Sequence, residues 1–270
     1  MVQIIGIDPA CAYRHDPVAL KTWLALAAKR RNRRTNRQLG AVLAIVAGAI
    51  NAGGFLAVGQ YTSHMTGIIS ASVDALVLGQ TQLVAAGVMA VVAFMAGAMT
   101  TTIQINWARR QNLHGEYAWS LMLEALLLLF FGALGSYLNH YREVFVPVTV
   151  LLLCFIMGLQ NAIITKLSAA EIRTTHMTGI VTDLAIELGR LVYWNRVAPP
   201  SGQKQVVADR SKLKIHVLML SCFVFGALVG AIAFKHLSFF ATIPFAIVLM
   251  MLAVPPIYQD VRKYQRVFFH

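Results

Sequence analysis

The sequence predicts an all-α membrane protein: six transmembrane helices in an inverted 3+3 repeat, each repeat carrying a re-entrant half-helix. Three observations predict it. The composition is 58% hydrophobic and only 13% charged, with a mean hydropathy of +0.65, whereas soluble domains carry about 25% charge. Six apolar stretches are each long enough to cross roughly 30 Å of hydrocarbon at about 20 residues apiece. One motif also occurs twice, and a repeat decides the architecture.

The repeated motif runs Ser63, His64, Met65, Thr66, Gly67, Ile68 and again Thr175, His176, Met177, Thr178, Gly179, Ile180. Each copy follows an apolar run containing Gly-x-x-Asn-Ala, first at Gly48, Asn51 and Ala52, then at Gly158, Asn161 and Ala162. The spans after the motifs also correspond, with Phe94, Gly97 and Ala98 matching Phe223, Gly226 and Ala227.

In chain order, residues 1–38 form a basic cytoplasmic segment. Val18, Leu20, Trp23, Leu24 and Ala27 suit one face of an interfacial helix, followed by Lys29, Arg30, Arg31, Arg33, Arg34 and Arg37. That pattern fits an anionic lipid surface better than nucleic acid. It lacks the apolar core and cleavage site of a signal peptide. The first repeat is 39–138, with spans near 39–59, 81–104 and 118–138. The second is 139–256, with spans near 145–166, 213–235 and 237–256, and a polar cytoplasmic loop at 191–211. Residues 257–270 form a cytoplasmic tail.

The segments between spans, 66–79 and 178–190, are about 14 residues or fewer. At 1.5 Å per residue they reach roughly 20 Å, too short to cross. Charge supports this count. With both termini cytoplasmic and the two segments re-entering, 21 of the 23 Lys and Arg residues fall inside, leaving Arg142 and Lys235 outside. That is the positive-inside pattern of a cytoplasmic (inner) membrane protein. Three crossings per repeat is odd, so the second copy is inserted upside down, a recurrent transporter plan.

A backbone that turns inside the membrane must be buried in protein or face a water-filled cavity. Thr66 and Thr178 can cap a first helical turn. Gly67 and Gly179 permit close approach. Two half-helix starts, each with free N–H groups and a positive dipole end, would face one central site for a small polar or anionic solute. The bland reading is a cap and a turn. His64 and His176 either contact solute or donate to carbonyls across the break. Asn51 and Asn161 either coordinate solute or hydrogen-bond between helices.

Asp74, Asp183 and Glu124 are ionisable groups in apolar stretches, hence proton-coupling candidates. Buried structural bonds are the alternative for the two Asp residues, and an interfacial position for Glu124. Glu187 and Arg190 read as interfacial.

Cys11, Cys154 and Cys222 have no metal or disulfide spacing. No phosphate loop, dinucleotide fingerprint, nucleophile elbow or zinc-protease motif occurs. The sequence therefore predicts no enzyme, no cofactor and no metal. Gly226 and Gly230 have the spacing of a close helix contact, which also suits a homodimer.

At these motifs the chain resembles the YoaK-like family of small bacterial membrane proteins. The resemblance spans roughly 39–256 and rests on Gly48 to Phe55, Ser63 to Gly67, Gly158 to Ala162, Arg173 to Gly179, and Thr182 to Leu184. It implies a polytopic cytoplasmic-membrane protein and no assigned substrate. Ile68 and Ile69 depart from the polar continuation usual in the family, and the long basic N-terminus departs as well.

The leading expectation is a transporter or channel for a small polar or anionic solute. The alternatives are a non-transporting scaffold or regulator that uses its basic N-terminus, or an intramembrane metalloenzyme.

Overall fold

The computed structural model describes residues 33–138, 142–167, 177–193 and 205–268. The interfacial helix expected within 1–32, the second motif up to His176 and part of the 191–211 loop lie outside them. The described residues form eight α-helices: α1 (Arg33–Val58), α2 (Met65–Val77), α3 (Thr81–Arg110), α4 (Ala118–Leu138), α5 (Arg142–Leu167), α6 (Met177–Val192), α7 (Arg210–Leu237) and α8 (Thr242–Phe268). A 3₁₀ turn at Ser238–Ala241 joins the last two. In lipid a helix satisfies its own backbone, which is why apolar stretches of this length take that form.

Five helices are long and apolar enough to cross a membrane: Thr35–Val58, Thr81–Arg110, Ala118–Gly135, Val146–Lys166 and a 53-residue stretch, Arg210–Arg262. The last includes both α7 and α8, and at about 1.5 Å per residue it is far longer than one crossing needs. Ser238, with φ of 51°, ends α7. The expected spans hold within a few residues at their ends. The exceptions are α1, which begins earlier at Arg33, α3, which continues to Arg110, and the last span, which begins at Thr242 behind the 3₁₀ turn and runs on through the expected tail to Phe268.

Cross-contacts give the helix directions. The Arg37 guanidinium donates to Ser211 Oγ, and the Phe234 ring packs over Gly53, so α1 and α7 run parallel. Ala90 packs with Val150, Leu151 and Cys154, near the starts of α3 and α5. At their far ends Arg109 reaches Tyr117, whose hydroxyl donates to the Lys166 carbonyl. Those two helices are also parallel. Gln160 Nε2 donates to the Leu43 carbonyl while Gly54 abuts Leu153, which sets α5 antiparallel to α1. The Tyr117–Lys166 bond joins the start of α4 to the end of α5. Gly115 meets Asp260 and Gly132 meets Thr242, so α4 and α8 are antiparallel. Helices α1, α4 and α7 thus point one way, and α3, α5 and α8 the other. The chain reverses at Ser238.

Small residues make the two parallel pairs close. A Cβ on Gly48 would strike the Phe223 carbonyl, and one on Gly226 the Ile45 carbonyl. In the other pair, Gly158 meets the Phe94 carbonyl and Gly97 the Phe155 carbonyl. Both pairs use the same register: Gly158 and Phe155 stand 110 residues after Gly48 and Ile45, and Gly226 and Phe223 stand 129 after Gly97 and Phe94. Without a hydrophobic force between helices in lipid, such backbone proximity supplies the van der Waals contact. The main core gathers Leu43, Leu121, Leu128, Phe131, Ile156 and Leu249. Phe131 packs edge-on to Phe239 at 5.6 Å and so anchors the reversal at Ser238 to α4.

Candidate functional site

The first motif lines a cavity of about 830 Å³ between the end of α1, helix α2 and the starts of α3 and α5. Its shape follows from local sequence. Gly59, with φ of 75°, turns the chain out of α1. Ser63 Oγ then donates to Asn51 Oδ1 at 2.7 Å, which ties the motif back onto α1. Phe55 and Tyr61 stack at 4.5 Å and 18° to form one wall. Gly87 on α3 leaves room for Ser72 of α2, whose hydroxyl is turned back onto the Ile68 carbonyl at 2.7 Å.

Helix α2 begins two residues earlier than a Thr66 cap requires. His64 occupies the N-cap position and makes no side-chain capping bond, while Thr66 sits inside the first turn with its side chain exposed. The His64 ring lies over Gly67, where a Cβ would strike its Nδ1. The glycine therefore serves to seat the imidazole. Gln60, His64 and Gln82 supply polarity to an otherwise mostly apolar lining, and among the described residues no carboxylate or ammonium lines the cavity.

The other expected site residues are distributed. Asn51 is occupied by Ser63. Thr178 and Gly179 lie exposed at the start of α6, which packs on α7 rather than on α2. Asn161 is buried near the end of α5, and its carbonyl accepts from Thr165. Asp74 is exposed on α2. His176 lies outside the described residues. His64 and Gly67 are thus brought together in the cavity, and Thr178, Gly179 and Asn161 are not among its lining.

The α6–α7 contact is chemically different from the α2–α3 contact. Asp183 stands 3.8 Å from His216 Nε2. Glu187, expected at the interface, is 4% exposed. It accepts from Arg190 at 2.8 Å and from the Asp209 main-chain N–H at 2.8 Å. His216 and Asp209 carried no sequence signal beyond their types. Asp209 outside the helix caps α7 through the N–H groups of Ser211 and Lys212. Those N–H groups, Lys212 first, together with the nearby Lys212 and Arg190 charges, hold its carboxyl below the ordinary value.

Glu124 is wholly buried on α4. Neighbouring Ser120 donates to Gln104 of α3 at 2.7 Å. No group of three or more His, Cys, Asp or Glu suited to a metal occurs among the described residues.

An all-helical chain with several crossing-length apolar helices is a multi-pass membrane protein. The chain belongs to the family described as "Protein of unknown function (DUF1275)", which matches residues 39–254. It is similar to the UPF0700 transmembrane protein YoaK of Bacillus subtilis (strain 168), at 27% identity over 220 residues, covering 78% of this chain and 91% of that one. No solved structure matches it.

Proposed function

We propose that the protein is a six-span carrier or channel of the inner membrane, with both termini cytoplasmic, that admits a small polar solute to the cavity beside α2. The cavity carries the reading: a concave, largely apolar site with a few convergent polar groups is the usual form of a small-molecule site. Among the described residues no cationic side chain lines it, which supports an uncharged solute over the anionic one. His64, seated on Gly67, orients the solute, and Gln60 and Gln82 satisfy its polar end.

The inverted 3+3 arrangement is supported by the matched glycine–carbonyl contacts of α1 with α7 and of α5 with α3. Re-entry of α2 is supported by helix direction. Because α3 runs opposite to α1, it must start at the end where α1 finishes, so 13-residue α2 leaves from and returns to one side. By the repeat, α6 does the same from the cytoplasmic side. Thr178, Gly179, His176 and Asn161 then belong to that second half, with Asp183 or Asp74 as a route for coupling protons.

Uptake into proteoliposomes tests this, using a panel of small neutral and anionic solutes. Wild type should pass a neutral solute, and His64→Ala with Gly67→Leu should lose at least tenfold in rate. Thr178→Val with Gly179→Leu should slow it too. Wild-type rates in both double variants would remove the site assignment.

A further inference from the structure

Glu124 and Gln160 are each 0% exposed, and three of their oxygens have no hydrogen-bond partner among the described residues: both carboxyl oxygens of Glu124 and Oε1 of Gln160. Three unpartnered acceptors at one level of a bundle ask for a proton. On α4, Glu124 lies one turn beyond Ser120, which faces Gln104 of α3, and two turns beyond Tyr117, which faces the end of α5. Residues so spaced share a helix face, so Glu124 points toward α3 and α5. Helices α4 and α5 run antiparallel from the Tyr117–Lys166 bond. An equal rise along each brings Glu124 level with Leu159 and Gln160. Gln160 already spends its amide N–H on the Leu43 carbonyl of α1, which leaves its carbonyl oxygen turned away from that bond.

An ionised carboxylate here would be isolated from water and from any cation of the described residues, at a cost that buried groups escape by taking up a proton. Among the described residues, the charged and titratable groups on the packed elements are engaged or remote. Arg109 of α3 is held by Glu116 and Tyr117 at the membrane end, beyond which lies Arg110. Lys166 ends α5, and Cys154 packs with Ile68 and Ala90 on the far side of that helix. On α8, Asp260 is taken by His114 and Gly115, with Tyr258 and Arg262 exposed near the same end. The 3₁₀ turn carries no titratable side chain.

We infer that Glu124 is a proton-binding site: a neutral carboxylic acid whose O–H donates to Gln160 Oε1 across the α4–α5 contact. The bond ties α4 through α5 to α1, and release of the proton would leave an uncompensated charge in the core. The site is therefore a place where one proton is held tightly in this packing and set free only when the helices part. This protonation state stands whether or not the protein transports a solute.

Infrared spectroscopy of the purified protein in lipid tests it. The wild-type minus Glu124→Gln difference spectrum at pH 7 should contain a carboxylic-acid C=O band that shifts in deuterated water. Glu124→Gln keeps the shape and can donate the same bond, so it should unfold at the wild-type temperature. Gln160→Met, or Gln160→Ala if the first does not accumulate, should move the band to higher wavenumber as its hydrogen bond is lost. Carboxylate bands alone in the difference spectrum would overturn the neutral acid. A band unmoved by either Gln160 variant would overturn the pairing.

Discussion

Gly158 of α5 lies against the main-chain carbonyl of Phe94 on α3 with no room for a Cβ, and the same relationship joins Gly48 of α1 to Phe223 of α7. The obstacle is backbone in both pairs, so a methyl group cannot be absorbed by turning a side chain. Alanine at Gly48, Gly97, Gly158 or Gly226 must push two helices apart, and overpacking of this kind costs about 1–3 kcal/mol. Each variant should unfold in detergent several degrees below wild type. Gly189 on α6 has nothing within 4 Å of its would-be Cβ. Gly189→Ala should be neutral or gain about 0.5–1 kcal/mol, as expected within a helix. Equal losses at all five positions would mean that the glycines matter for something other than the contact.

The position of α2 fixes a second outcome. Gln60 follows α1 and Gln80 precedes α3. With Cys11, Cys154 and Cys222 replaced by Ala, single cysteines at both positions should react with an impermeant thiol reagent from the same side of the membrane. A cysteine at His114, between α3 and α4, should react from the other side. Labelling of Gln60→Cys and Gln80→Cys from opposite sides would make α2 a full crossing.

These two predictions also mark what the sequence made legible. Apolar length located the crossing-length helices, because a segment in lipid has no alternative to helix. The duplicated Gly-x-x-Asn-Ala and Phe-x-x-Gly patterns lie on the contacts that pair α1 with α7 and α3 with α5, since close approach tolerates only small residues. The motif chemistry was harder to read. Spacing cannot say whether Thr66 or His64 stands at the helix start, because either residue can precede the first turn, and a shift of two positions left the Thr side chain exposed. Nor could it separate the two short helices: α2 sits on α3 through Ser72 and Gly87, while α6 meets α7 and its cap through Asp183, Glu187 and His216. Burial of Glu124 and Glu187 depends on which helix face meets a neighbour. That is settled by tertiary packing, which a single sequence does not display.

Asp260 illustrates a carboxylate whose role is structural. It is 2% exposed and accepts the main-chain N–H groups of His114 at 2.7 Å and Gly115 at 3.0 Å, where the chain turns from α3 into α4. Asp260→Ala strands both donors and should cost about 2–6 kcal/mol, since each buried unpaired group costs about 1–3. Asp260→Asn keeps one acceptor oxygen and should lose roughly half as much. Chemical or thermal unfolding in detergent reads both. A wild-type midpoint for Asp260→Ala would mean that water satisfies this turn.

The cap of α7 gives a dependence on pH. The Ser211 and Lys212 N–H groups donate to Asp209 Oδ1 at 2.9 and 3.2 Å. These bonds favour the charged form, and the carboxyl sits below its ordinary value of 3.8. A group whose folded value is depressed contributes stability above the unfolded value, and that contribution is lost as pH falls through the folded one. The first turn of α7 should therefore stay protected at neutral pH and fray only below pH 3.8, where the carboxylate takes up a proton. Exposure of Asp209 keeps the effect local, so the midpoint of global unfolding should not follow it. Hydrogen-exchange protection factors at Ser211 and Lys212 measure it. Asp209→Ala should lower that protection at every pH. Asp209→Asn, whose amide oxygen can cap but cannot titrate, should retain protection with no step. A step that persisted in Asp209→Asn would assign the titration to another group.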